Sequence, residues 1–553
     1  MKEIDEVLKK VKRVHFIGIG GSGMCPLVEI LHSKGYEITG SDNNESDTLN
    51  RVRALGIPVT LGQRAENIEG AEMIVYTAAL LPDNPELCAA KASGIPTFER
   101  KEMLGAITRM FDDCICVCGT HGKTTTTSML TQIFIQAGED PSAVIGGKLP
   151  LTGTNGLVGK SEHMLCEACE FVDTFLSLSP DVCVLLNIDE DHLDYFKTLD
   201  NLIASFTKFA SMTRKEVIYN GDDANTLRAI AGVNDKKVIT FGLKEGNDFR
   251  ADNIVLEHEF ASFDIIKYGE NVGRISLGIP GEHNVYNALA AIAAADNAGI
   301  PMDKIIACAE AFHGAGRRFE ILKRINGITI ADDYAHHPRE LEATLTTAMG
   351  MGFNRVWAVF QPFTYSRTAM LFDDFCRVLS IPDRTVLTEI MGSRERNTYN
   401  IYTSQLAEKI PGSVWFNTFE EVADYVVKNV EKGDLVITLG CGDIYKAAKL
   451  MIKKLEKQGY HGFSVQKTQG SICANILARH RARRRFFRLR QRHIFFARGA
   501  ESEKISAARQ NGQTPAHNER CISDIPRLQT FRARLPQGSK SRNNARSVLL
   551  RLA

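Results

Sequence analysis

No apolar run in this 553-residue chain reaches the 18 or so residues that a bilayer-spanning helix needs, which argues against a membrane-embedded class. The opening MKEIDEVLKKVKR has no apolar core ahead of a small-residue cleavage site, so a secretory signal is lacking and the cytoplasm is the expected compartment. A second CxxC pair is missing as well. Cys166 and Cys169 form a lone one, and Cys114, Cys116 and Cys118 alternate along a single strand. The thirteen cysteines therefore read as buried free thiols rather than as a zinc or redox site.

Net charge is almost absent too, at +1, but it hides a partition. Residues 461–553 hold 20 Lys and Arg against 4 Asp and Glu, a charge of +16, which leaves −15 for residues 1–460. The basic part contains RHRARRRFFRLRQRH, lacks sustained periodicity, and reads as a disordered appendage. An arm for nucleic acid or an anionic membrane and a translated shifted reading frame are the other readings, and neither a nucleic-acid nor a membrane partner is expected. The remaining composition, 44% hydrophobic and 24% charged, is that of a soluble globular protein, and the length calls for three or four domains.

What the sequence does have is two glycine-rich loops, each between a strand and a helix. The first, VHFIGIGGSGM, follows an apolar strand and precedes the periodic run MCPLVEILHSKG. Gly18, Gly20 and Gly23 fit G-x-G-x-x-G, whose backbone amides can approach a pyrophosphate at a helix N-terminus. The strand YEITGSD then places Asp42 where an acid can accept ribose hydroxyls. On this loop alone a nicotinamide dehydrogenase is the natural reading.

The second loop, GTHGKTTTT from Gly119 to Thr127, shifts the balance towards a nucleoside triphosphate. Lys123 stands where a lysine meets the β and γ phosphates, and Thr124 where a hydroxyl ligates Mg²⁺. Val117 occupies the position at which a standard phosphate-binding loop has its first glycine. Downstream, EACEFVDTFL and NIDEDHLDYF put acids at the C-terminal ends of apolar strands, where open α/β sheets bind ligands. Glu167 is a candidate metal ligand, and Asp189, Asp191, His192 and Asp194 cluster closely enough to serve the same ions.

The order of these motifs, continued by VYTAALLPDNPE, GGKLPLTGTNGLVG, PGEHNVYNALAA, GRRFE, DDYAHHP, FQPFTYSRT and LGCGDIY, resembles the Mur ligase family over residues 10–455. The resemblance implies an α/β fold of three domains: a Rossmann-like UDP-sugar domain (1–108), a central P-loop-type ATP domain (109–316) and a Rossmann-like amino-acid domain (317–459). The basic tail (460–553) follows. It further implies ATP-dependent ligation of L-alanine to UDP-N-acetylmuramate through an acyl phosphate, with Mg²⁺, in cytoplasmic peptidoglycan precursor synthesis. The small molecules ATP, UDP-N-acetylmuramate and L-alanine are then the partners. A same-fold ligase that attaches a recycled murein peptide is the near alternative, and the dehydrogenase the distant one.

Roles follow by the same resemblance. Gly119, Thr120, His121, Gly122, Lys123, Thr124 and Thr125 would cradle ATP, with His283 and Asn287 at the nucleotide, Asp333 at its ribose and Arg318 at its γ-phosphate. Thr124, Glu167 and His192 would ligate Mg²⁺. Gly18, Gly20, Gly21, Ser22, Gly23, Asp42, Asn84, Asn155 and Arg367 would bind the UDP-sugar. His337 would face the muramate carboxylate and the incoming amine and is a candidate base, although His336 and His337 can also simply cap the helix ahead of Pro338. Hinges are expected near 104–113 and 312–320.

Overall fold

The computed structural model describes residues 2–457 apart from 234 and 394, so the expectations for the basic tail lie outside the described residues. Three sheets account for the described strands. The first holds five short strands, in the spatial order Val59–Leu61, Glu37–Asp42, Arg13–Ile17, Met73–Tyr76, Thr97–Glu99. All its pairings are parallel, and the strand order reverses beside Arg13–Ile17, which makes a ligand crevice at that strand's C-terminal end. The glycine loop at Gly18 starts there.

The second sheet has ten strands, with Asp113–Cys118 between Val182–Leu185 and His163–Glu167. Its parallel centre is apolar throughout, as a strand covered on both faces must be; Cys114 to Cys118 are all buried. The described cysteines are free thiols, as the lone CxxC implied. An antiparallel meander, Phe249–Glu257, Phe260–Lys267 and Glu270–Pro280, extends one edge. The third sheet has six strands, with Ile328–Asp333, Leu435–Leu439 and Val356–Phe360 at its centre and the antiparallel Glu320–Ile325 at its edge.

Two connections fix how these sheets present their loops. The helix Arg100–Thr108 is packed so closely on Phe171–Ser177 that a Cβ at Gly105 would overlap the Ser177 carbonyl, and Arg109 ties Asp5 to that same carbonyl. The segment 312–320 turns through left-handed backbone at Arg317 (φ 59°) and Phe319 (φ 48°). Such conformations cost roughly 1 kcal/mol or more each for non-glycine residues and persist only where partners fix them. Here the Arg317 N–H donates to Glu320 at 2.8 Å, the Phe319 N–H to Asp333 at 2.7 Å, and the Arg317 carbonyl accepts from Tyr334 N–H at 2.7 Å. Among the described residues no helix is long and apolar enough to cross a membrane.

Candidate active site

The second glycine loop is the start of helix Lys123–Ala137, capped by Gly122 at φ 86°. Only glycine fits there, because a Cβ would overlap the Asn287 side-chain oxygen as well as strain the backbone. Asn187 pins the loop from the neighbouring strand end: its Oδ1 accepts from His121 N–H at 2.8 Å and its carbonyl from Thr120 N–H at 3.0 Å. Sequence reasoning passed over Asn187, which sits two residues before Asp189 in the motif NIDEDHL.

Lys123 does not point into open space. Its ammonium donates to the Gly119 carbonyl (2.6 Å), the Thr120 carbonyl (2.9 Å) and Glu170 Oε1 (3.0 Å), with Oε2 at 2.9 Å. Burial alone would lower its basicity, but the buried Glu170 carboxylate beside it holds it above the ordinary lysine value. Glu170 is a second residue missed from sequence. The signal was there, three positions after Glu167 in EACE at the same strand end. Thr124 Oγ1 donates to Glu167 Oε1 at 3.0 Å, and Gly146 N–H donates to Oε2 at 2.7 Å. A Cβ at Gly146 would fill the space against that carboxylate, so the chain leaves a cradle beside two hard oxygen donors. This donor chemistry suits Mg²⁺.

A cavity of about 380 Å³ opens over this loop and is closed on its other side by the third sheet's residues. Arg318 reaches across, its Nη2 3.4 Å from Thr124 Oγ1 and its guanidinium 5.3 Å from the Tyr334 ring centre. Asp333 lies below it, with burial raising its carboxyl to about 6 against the pull of Arg318. Both Asp333 oxygens are already engaged, by Phe319 N–H and by Ala335 N–H at 2.7 Å each. Asn287 is buried, its Nδ2 donating to Asn284 at 2.8 Å and its Oδ1 accepting from Thr126 at 3.3 Å, so it is no helix-surface residue. Thr125 and His283 line the same cavity, and loss of hydration at the cavity wall, with His121 beside it, lowers the basicity of His283.

The acids of NIDEDHL divide. Asp189 turns to His121 (3.7 Å) and forms an ion pair with Arg339 on the third sheet's helix Pro338–Gly350, which holds its carboxyl well below the usual range, His121 contributing most. His192 lies against Phe171, ring centres 4.7 Å apart, and 3.7 Å from Asp191. His337 is the N-cap of Pro338–Gly350: its Nδ1 accepts from Arg339 N–H at 3.4 Å, which leaves the ring proton on Nε2. Burial lowers its basicity, and Arg367 faces both it and His336.

At the first loop, Gly20 N–H donates to Asp42 Oδ2 at 2.9 Å, so that carboxylate braces the loop itself. Gly18 and Ile19 N–H donate to the Ser41 carbonyl, and Gly21 N–H to the Gly18 carbonyl. Asn84 caps helix Pro85–Ala92 through Leu87 N–H at 3.0 Å and donates to Gln63. Asn155, from the second sheet, donates to the Ser22 carbonyl at 2.8 Å and joins the two loops' supports. A side chain at Gly20 would press on Asp42 and Leu49 at 3.0 Å. If this loop takes the UDP-sugar, as the resemblance implies, Gly20→Val should raise the UDP-sugar KM about 10-fold or more and leave the ATP KM within about twofold, by steady-state kinetics with each substrate varied. Equal losses in both would mean a single shared site.

Comparison with known proteins agrees with this layout. Residues 13–112 match the Mur ligase family catalytic domain, 117–295 the Mur ligase middle domain and 317–442 the Mur ligase glutamate ligase domain. The chain is 40% identical over 462 residues to the UDP-N-acetylmuramate–L-alanine ligase of Caldanaerobacter subterraneus subsp. tengcongensis, covering 82% of this chain and all of that relative. It is 43% identical to the ligase of the same name from Agathobacter rectalis, with the same coverage. Among solved structures, the UDP-N-acetylmuramate-alanine ligase of Thermotoga maritima superposes with a TM-score of 0.70 at 26% identity, over 81% of this chain and 99% of the other. A murein peptide ligase from Psychrobacter arcticus shares the fold at a TM-score of 0.64 and 21% identity, over 82% of this chain and all of the other. With three domain matches in order and relatives of this name at about 40% identity, the chain belongs to the Mur ligase family.

Proposed function

We propose that this enzyme joins L-alanine to UDP-N-acetylmuramate at the expense of ATP, forming ADP and phosphate through an acyl phosphate. The observation that carries the reading is the reach of Arg318 across the cavity to Thr124, the residue that follows Lys123 in the glycine loop. It supports a reading in which cations carried by different parts of the chain, Lys123 and Arg318, serve one phosphate group.

In this reading the loop from Gly119 to Thr125 holds the triphosphate, with His283, Asn287 and Asp333 around the nucleoside. Thr124 and Glu167 would hold one Mg²⁺ and His192 a second, and bound Mg²⁺ neutralises charge on the phosphates. Lys123 leaves Glu170 and the loop carbonyls for the phosphate oxygens. The lactyl carboxylate attacks the γ-phosphorus, ADP leaves, and Lys123 and Arg318 spread the charge that develops on the transferred group. The alanine amine then attacks the acyl carbonyl and expels phosphate.

His337 takes a different part from the base first considered. With Nδ1 occupied as a helix cap, its Nε2–H donates, and beside Arg367 it suits a carboxylate rather than an amine proton. Phosphate release from ATP should require UDP-N-acetylmuramate and be fastest with alanine among alanine, glycine, serine and a murein tripeptide. Preference for the tripeptide would replace this reading with the peptide-ligase one, and release without UDP-N-acetylmuramate would end both.

A further inference from the structure

Arg100 has a role in none of the readings above. It is the first residue of helix Arg100–Thr108, at the C-terminal edge of the first sheet, where strand Thr97–Glu99 ends. Among the described residues its half-buried guanidinium makes no hydrogen bond or ion pair, while its neighbours are satisfied: Lys101 pairs with Glu99 at 3.5 Å, and Glu102 accepts from Glu99 N–H at 2.9 Å. A cation in the first turn of a helix opposes the helix dipole, and an enclosed guanidinium without an acceptor loses solvation as well. Something other than the local fold must offset this.

The direction of the side chain says what. Arg100 lies against Gly23 of the first glycine loop: a Cβ at Gly23 would stand 3.5 Å from both Cδ and Nη1 and 3.6 Å from Cζ. A Cβ at 23 would thus make ordinary van der Waals contact with the guanidinium, which places Arg100 directly beside the loop. On the loop's other flank Asn155 fixes Ser22 through its carbonyl, so the turn is held still while the guanidinium stays uncommitted. Nothing acidic in the loop VHFIGIGGSGM competes for it, and the nearby Asp42 is spent on Gly20 and Asn44 N–H. An uncommitted planar fork beside a glycine loop has the geometry for bidentate contact with phosphate oxygens.

We infer that Arg100 binds the pyrophosphate of the UDP-sugar, clamping it from the side opposite the loop amides. The inference rests on the proposed assignment of the first loop to that substrate. Three ligands separate the contact from the rest of the site: UDP-N-acetylmuramate, UDP and uridine, titrated calorimetrically against the full chain. Arg100→Ala should weaken UDP-N-acetylmuramate and UDP by on the order of 10- to 100-fold, leave uridine within about twofold, and leave the ATP KM unchanged. Arg100→Lys should recover part of the loss, since it restores charge without the fork. The unfolding temperature should hold or rise, because among the described residues the side chain makes no hydrogen bond or ion pair and it opposes the helix dipole.

UDP affinity unchanged in Arg100→Ala, with tight binding in the unmodified enzyme, would overturn the inference alone. A parallel loss for uridine would also overturn it, by making the effect one of loop shape. Failure of the unmodified enzyme to bind UDP or UDP-N-acetylmuramate would overturn the substrate assignment and the inference with it.

Discussion

Lys123→Ala should lower phosphate release by on the order of 10² to 10³ or more while leaving UDP-sugar affinity within about twofold. The loss follows from removing the one ammonium in the loop, whose place backbone amides cannot fill. The unchanged affinity follows from geography, since the first glycine loop, the one expected to take the sugar nucleotide, belongs to another sheet. A second consequence is specific to this site. The ammonium is held by a carboxylate whose side chain is 1% exposed, so deleting it leaves Glu170 buried without its counter-charge. Removing one partner of a buried pair typically costs about 3–5 kcal/mol, so the variant should also unfold at lower temperature. Adding Glu170→Gln should restore most of that stability and none of the activity. If the double variant stayed as unstable as the single one, the pair would not be what holds the loop. If Lys123→Ala turned over at the normal rate, the ATP assignment would fail.

The Lys123–Glu170 pair also illustrates what the sequence could and could not tell. Both loops and their flanking strands and helices were legible because each is written in local pattern: an apolar run, a glycine turn, then helical periodicity; the three-domain plan came instead from the resemblance in motif order. Helix Lys123–Ala137 begins where GKTTTT predicts it, and Cys25–Ser33 follows the first loop as MCPLVEILHSKG implies. The partners of the functional groups were less legible because they are set by distance in space. Asp42 and Asn84 carry the right chemistry for a sugar nucleotide, yet both spend polar atoms bracing the loop or capping a helix. His337 shows the same overlap: a histidine immediately before Pro338 can be read as a cap or as a catalyst, and here its Nδ1 accepts from Arg339 N–H. Arg339 and Asp189 lie 150 positions apart, and no local pattern announces their ion pair.

Arg318→Ala should lower kcat by on the order of 10²-fold or more with the UDP-sugar KM nearly unchanged, because in the proposed reading the guanidinium meets the transferring phosphoryl group and not the sugar. Its position is expensive to maintain: Arg317 and Phe319 on either side are left-handed, and Asp333 and Tyr334 hold the turn. Arg318→Lys should recover only a small part, since a single ammonium loses the fork that spans from Tyr334 to Thr124. The same variant has a pH signature. Burial raises Asp333 from its ordinary 3.8 to about 6 even with Arg318 pulling it down. A carboxyl raised by folding contributes stability that is full below its unfolded value and is lost as pH rises through its folded one. Without Arg318 that folded value moves higher, so the variant should be closest to the unmodified enzyme in unfolding temperature near pH 4 and should fall behind it above about pH 6. Parallel curves across that range would mean that Arg318 does not act on Asp333. An unchanged kcat would remove Arg318 from the chemistry and leave Lys123 as the only cation proposed for the phosphoryl group.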